Sequence, residues 1–476
     1  MFPLEAEKEL KENIHPSKVK KRVVDLTEGS IWKKLIIFAF PIMCSNLLQQ
    51  LYNTVDSLVV GRFVGHTALA AVGATGSLTS LIIGFFMGMG TGSGVVISQY
   101  YGAKDHKNLE KSVHTAMAVA LIFGVVLGVI GVIISPFLLE LMNTPDDVLD
   151  QAVVYLRIYF GGVITLTVYN IGSGILRAVG DSKRPLYYLV VSGIANVFFN
   201  LLFVCVFHMG VAGVAWGTIL SQLLSCILVI GNLVRCKDSY QLQIRRIRIE
   251  KEIFWRIAKI GLPAGVQSMV ISLSNIVIQS KVNIFGSVAM AGYSAANRID
   301  GFVYMPLNAL SLAMTTFTAQ NLGARKMERA KHGTRTAIIM GLIAIIATGW
   351  TAVLCARPLV SLFSSEENVI SYGIRTITVL GGGYFLFTFN DILAGVIRGA
   401  GNATVPMIIS IFNMCIVRIL WLTILLPIWQ DFNLVLICYP LTWGLSSLCY
   451  VIYYKKGHWL KHWQEEVHYI KEKQTK

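Results

Sequence analysis

A carboxylate at Asp56 stands inside an apolar run, preceded by Asn46, Gln49 and Asn53 at steps that read 3, 4 and 3 along the chain. That spacing places all four on one face of a helix. Such a face looks at protein or water. It is either a polar seam between neighbouring helices or a cavity wall carrying a desolvated carboxylate able to take and release a proton. A second run repeats the theme with Ser268, Ser272, Asn275 and Gln279 at steps of 4, 3 and 4. The other charges within or near apolar runs of the second half are Lys281, Arg298, Asp300, Asp391 and Arg418, and ionisable groups in such places are functional candidates by default. Asp300 either neutralises Arg298 or Arg418 or serves a transport pathway. Asp391 is a lone carboxylate among Phe385, Phe387 and Phe389.

The elements that must position these groups are membrane helices. Hydrophobic residues make up 54% of the 476 and charged residues 14%, against about 25% charged in an average soluble domain; mean hydropathy is +0.62. Apolar runs of about 20 residues, the length that crosses a bilayer core, fall near 33–60, 67–98, 113–135, 153–176, 186–207, 211–234, 257–283, 288–318, 336–356, 373–397, 405–428 and 434–454. The expected fold is all-α and integral to the membrane, with twelve spans. With both termini cytoplasmic, 33 Lys and Arg fall on the inner side and 5 on the outer, the asymmetry of a multi-pass protein of the cell membrane. The net charge of +15 is therefore topological, and the Arg245, Arg246 and Arg248 cluster is not a nucleic-acid site. Residues 1–30 are charged and lack a secretory signal's apolar region, so the first span is expected to be retained. Six of the eight cysteines sit in apolar runs and none forms a CxxC pair, which implies neither a disulfide framework nor a zinc site.

The chain also repeats itself. A shift of 221 residues carries Gly65 onto Gly286, Gln99 and Gly102 onto Gln320 and Gly323, Gly161 and Gly162 onto Gly382 and Gly383, and Arg177, Gly180 and Pro185 onto Arg398, Gly401 and Pro406. A constant offset across five spans is a duplication signal. Each copy holds six spans, an even number, so the copies are parallel repeats, expected to rock about a site near mid-membrane. The expected divisions are a cytoplasmic tail at 1–30, a first lobe at 31–234, a basic linker at 235–256, a second lobe at 257–454 and a cytoplasmic tail at 455–476. In the last of these, Leu460, Trp463, Val467 and Ile470 would form the apolar face of an amphipathic surface helix. The offset pairs Asp56 with Val277 and Asp391 with Asn170, so the lobes differ in chemistry. Gly84, Gly88 and Gly92 read as small residues for close helix packing. No phosphate-binding GxxxxGK[ST] loop occurs, which points to an ion gradient rather than ATP as the energy source.

At NTVDSLVVGRFVG (53–65), QYYGAKD (99–105), ILRAVGDSKRPL (175–186) and VIRGAGNATVP (396–406) the sequence resembles the multidrug and toxic compound extrusion (MATE) transporters, over essentially the whole span region. The resemblance implies two six-helix bundles forming a V that export amphipathic, often cationic organic compounds by proton or sodium antiport. It further implies an ion-coupling set of Asp56, Asn196, Asn200 and Thr218. Some members carry an aspartate where Asn200 stands, and its absence favours protons over sodium here. A seventh-helix glutamate found in other members is missing from VQSMVISLSN (266–275), so that site is not carried over. Substrate-pathway candidates are Gln49, Asn53, Ser272, Asn275, Arg298, Asp300, Asp391 and Arg418. A functional monomer in membrane lipid is expected, with small organic substrates and no cofactor. A membrane-embedded enzyme would want clustered His or paired carboxylates near one interface, whereas the nine His are scattered. A lipid-linked precursor flippase of related fold would want a cationic cavity, and Lys281, Arg298 and Arg418 keep that alternative open.

Overall fold

A computed structural model of the chain describes residues 23–142, 144–457 and 459–460; the proposed helix face at Trp463, Val467 and Ile470 and most of the 1–30 tail lie outside the described residues. The first lobe runs through α1 (Ile31–Val59, continued by a π-helical turn Val60–Val64), α2 (His66–Gly102), α3 (His106–Leu141), the bent pair α4 (Asp146–Gly161) and α5 (Val163–Ala178), α6 (Lys183–Leu201) and α7 (Gly210–Arg235). The second repeats this with α8 (Lys251–Asn283), α9 (Gly286–Gly323), α10 (Met327–Leu354), a short α11 (Ala356–Ser361), the bent pair α12 (Glu367–Gly381) and α13 (Tyr384–Gly399), α14 (Thr404–Ser410) and α15 (Arg418–Leu425) joined by a π-helical stretch, and α16 (Phe432–Lys455). Counting each bent pair once gives six crossings per lobe. Among the described residues nine helices are by themselves long and apolar enough to cross a membrane, and the two bent pairs add two more. The twelfth is α9, whose 38 residues carry Arg298, Asp300 and a run of buried polar groups. It can be this polar because protein surrounds its inner half.

Two crossings expected to be uninterrupted helices, 153–176 and 373–397, are broken, by 46° between α4 and α5 and by 55° between α12 and α13. The breaks fall at repeat-related glycines. A β-carbon on Gly162 would come within 2.5 Å of the Ile219 side chain, and one on Gly383 within 2.7 Å of Pro440; Ile219 and Pro440 are themselves 221 residues apart. Backbone conformation repeats likewise, with positive φ at Lys104 and Arg325, at Gly65 and Gly286, and at Gly180 and Gly401. Apolar side chains turned outward are the norm, as on α3, where Ile122, Val126, Val129, Ile133 and Phe137 form an exposed stripe suited to lipid.

The first helix of each lobe begins on the other lobe and ends on its own. Leu35, Phe38 and Ile42 of α1 belong to the second lobe's core, whereas Val59 and Val60 pack with Tyr155, Val204 and Val211 of the first. In mirror fashion Ile253, Ile257 and Ala264 of α8 pack into the first lobe, and Ile278 and Val282 into the second. The glycine stripe makes this crossing close: a β-carbon on Gly88 would lie 2.1 Å from the Gly265 nitrogen, and one on Gly92 would lie 2.6 Å from the Gly261 nitrogen. The lobes are also stitched at the end bearing the basic loops. Gln320 donates to the Ala178 carbonyl at 2.7 Å, and its repeat mate Gln99 to the Gly399 carbonyl at 3.4 Å. The segment before α1 straps both lobes there, since the Val24 amide donates to Gly180 in one lobe while Asn321 and Lys326 of the other donate to the carbonyls of Leu26 and Thr27. Among the described residues no hydrogen bond joins the outer halves of the two lobes, where Asn53, Ser57, Asn275 and Ile276 are exposed. The result is a V with its apex at the basic-loop end. The linker is docked rather than free: Gln243 donates its amide to His114 at 3.0 Å, Glu250 to Thr115 at 3.2 Å, and Arg246 pairs with Glu110 at 2.8 Å.

Candidate functional site

In the outer half of the first lobe the chain brings four expected residues together. Asp56 points inward from α1 and accepts a hydrogen bond from Asn200 of α6 at 2.5 Å and one from Thr218 of α7 at 3.4 Å. Asn196, one turn before Asn200, accepts from the same Asn200 amide at 3.2 Å. All four side chains are buried. The Asn200 oxygen and the Asn196 nitrogen have no partner, so the cluster holds unused hydrogen-bonding capacity beside a carboxylate. Tyr52, one turn before Asp56, closes the inner side by bonding to Ser221 at 3.2 Å.

Gly217 is the feature that residue-type reasoning overlooks. A β-carbon there would sit 2.1 Å from the Asn200 side-chain oxygen, so only glycine lets α7 approach α6 closely enough to seat Asn200 against Asp56. Gly217→Ala is expected to give an inserted protein with Asn200 displaced, at a cost of about 1–3 kcal/mol for the added methyl. Any activity that depends on the cluster should fall well below that of Gly231→Ala, whose β-carbon meets nothing within 4 Å. Vesicle transport and thermal unfolding measured side by side check this, and equal values for the two variants would remove Gly217 from the site.

The other candidates are spread out. Asn46 crosses to Asn308 of α9 at 3.2 Å, Gln49 lines a cavity near the apex, and Asn53 is exposed; the face drawn from their spacing thus divides between the second lobe, the cavity and the first lobe's interior. Ser272 donates to the Ser268 carbonyl of its own helix, and Asn275 is exposed toward the open side. Asp300 pairs with neither arginine: it accepts from the Tyr384 hydroxyl, while Arg298 is exposed. Arg418 is buried, donates to Thr442 at 2.8 Å and lies 4.4 Å from the Tyr439 ring centroid, a cation–π geometry. Asp391 lies two helical turns before Arg398 on α13. Where the first lobe has Asp56, Asn196, Asn200 and Thr218, the same offset in the second gives Val277, Val417, Trp421 and Tyr439. The polar cluster therefore belongs to one lobe only. Among the described residues no group of three or more His, Cys, Asp or Glu is placed to hold a metal ion.

Two parallel helical lobes meeting in a V, with a carboxylate buried in a polar cluster of one of them, define a multi-pass membrane protein of transporter architecture. The chain belongs to the MatE family, whose profile matches it twice, over residues 41–202 and 263–423, one match per lobe. It is 33% identical over 399 residues to the "Probable multidrug resistance protein YoeA" of Bacillus subtilis, covering 81% of this chain and 85% of that protein. Against the "Multidrug export protein MepA" of Staphylococcus haemolyticus the identity is 24%, over 78% of this chain and 84% of that one. Among solved structures, a MOP superfamily transporter from Pyrococcus furiosus superposes with a TM-score of 0.86 at 23% identity, covering 92% of this chain and 99% of that chain. An outward-facing multidrug resistance MATE transporter gives 0.85 at 23% identity, over 91% and 97%.

Proposed function

We propose that the protein is a secondary active exporter of small, amphipathic, cationic organic compounds, coupled to proton entry through Asp56 and working by rocking of its lobes. The observation that carries this reading is the buried Asp56 carboxylate held by Asn200 and Thr218. One proton neutralises one carboxylate, and the cluster offers no second acid that would retain a net charge for a sodium ion. It needs no cofactor and no partner chain. The basic-loop end would face the cytoplasm with both termini, in the cell membrane, so the V described above would open outward.

Inverted vesicles test the coupling. A pH jump without sodium is expected to drive uptake of a cationic dye, and transport that requires sodium at every pH would replace the proton with sodium. Rocking is tested separately. Cysteines at Arg62 and Lys281, at the outer ends of the two lobes' first helices, should cross-link as the outer mouth closes and stop export until reduced. Full activity in completely cross-linked protein would end the rocking mechanism.

A further inference from the structure

A cavity of about 100 Å³ lies near the apex, lined by Asn46, Gln49, Tyr169, Asn170 and Arg177 of the first lobe and by Thr315 of α9. Arg177 is half-buried, yet among the described residues no carboxylate lines the cavity and none forms an ion pair with this guanidinium. Its repeat mate shows what an arginine at this place in the fold ordinarily has. Arg398 has a carboxylate, Asp391, two turns earlier on its own helix and is hydrogen-bonded to Gln267 at 3.4 Å and to Ser311 at 3.5 Å. In the first lobe the residue matching Asp391 is Asn170, which lines the cavity together with Arg177. One lobe carries a carboxylate on the same helix as its arginine. The other replaces the carboxylate by a neutral amide and leaves a space beside it.

The geometry points to an anion site: the cavity beside Arg177 takes the carboxylate or phosphate group of an amphipathic molecule, with Arg177 as its counter-ion. A charge withdrawn from water is costly unless paired, and the guanidinium fork matches planar or tetrahedral oxyanions. Asn46, Gln49 and Asn170 line the same space and supply amide N–H donors, while Ile42, Met87 and Leu312 give it an apolar side for a hydrocarbon tail. The volume is well above the roughly 10–15 Å³ that admits one water. This site is distinct from the Asp56 cluster and opposite to it in charge, so it stands whether or not Asp56 couples to protons.

The test is equilibrium binding to the purified full chain in a zwitterionic detergent, with octyl phosphate, octanoate, inorganic phosphate and octyltrimethylammonium as probes. Octyl phosphate and octanoate are expected to bind saturably, and Arg177→Gln to weaken both at least tenfold. Asn170→Asp, which restores to the first lobe the carboxylate that the second possesses, should weaken them as much, and it keeps the test alive if Arg177→Gln does not fold. Arg398→Gln should leave binding within about twofold. Inorganic phosphate competing as well as octyl phosphate would assign the site to free oxyanions; failing to compete would assign it to amphiphiles such as anionic lipid, and either result upholds an anion site. Absence of saturable binding, affinity unchanged in Asn170→Asp, or equal competition by octyltrimethylammonium would overturn it.

Discussion

Asp56→Asn is expected to leave a folded, membrane-inserted protein that binds substrate and no longer concentrates it. The substitution fits the site as it stands. The new amide keeps an oxygen to accept from Asn200, and its N–H2 can donate to the Thr218 hydroxyl oxygen, whose own proton has the Val214 carbonyl at 3.0 Å. What is lost is the ability to carry a charge in one step and not in the next. Exchange of one proton for one singly charged cation moves no net charge, so the drive is the pH difference, worth about 1.36 kcal/mol or roughly a tenfold concentration ratio per pH unit. In pH-jumped inverted vesicles the parent should approach a ratio of that order, and Asp56→Asn should stop near unity. Downhill dye exchange, which needs no coupling, should persist in the variant. Uphill accumulation equal to the parent's would sink Asp56 as the coupling residue, whichever ion is the driver.

Lobes, spans and repeat were readable because each rests on a one-dimensional signal: apolar length, loop charge and a constant offset. The family's matches to 41–202 and 263–423 fall on the same two copies. Resemblance alone groups Asp56, Asn196, Asn200 and Thr218, and hydrogen bonds link their side chains in the structure. The spacing of Asn46, Gln49, Asn53 and Asp56 was a poorer guide. A helix that starts on one lobe and ends on the other presents the same face to different surroundings along its length, and a single-face reading has no term for that. Asp300 is a further case, because Tyr384, its partner, is 84 residues away in the chain, whereas charge complementarity alone points to Arg298 and Arg418. The breaks at Gly162 and Gly383 were visible only as repeated glycines, since local hydropathy is blind to a bend. Gly217 had no signal of its own, because its value lies in the room it leaves for Asn200.

Gly102→Ala is expected to shift the protein away from the conformation described here. At the apex the two lobes touch through repeat-related backbones: a β-carbon on Gly102 would lie 2.0 Å from the Gln320 carbonyl oxygen, and one on Gly323 would lie 2.1 Å from that of Gln99. These are main-chain atoms inside helices and cannot swing aside like a long side chain. The seam can therefore accept a methyl only by opening. Overpacking of this kind costs typically about 1–3 kcal/mol, which applied to a two-state equilibrium changes the population ratio by about 5–150-fold. A conformation whose apex is already apart bears none of that cost, so the substitution should redistribute states rather than unfold the protein. Spin labels at the exposed positions Lys107 and His332 straddle the seam, and Gly102→Ala should raise the share of long distances between them, with Gly231→Ala as the neutral control. Because both glycines guard one seam, the Gly102→Ala/Gly323→Ala double variant should add less than the sum of the singles. An unchanged distance distribution in the double variant would mean that the apex yields without parting, and the close glycine contacts would then be packing alone.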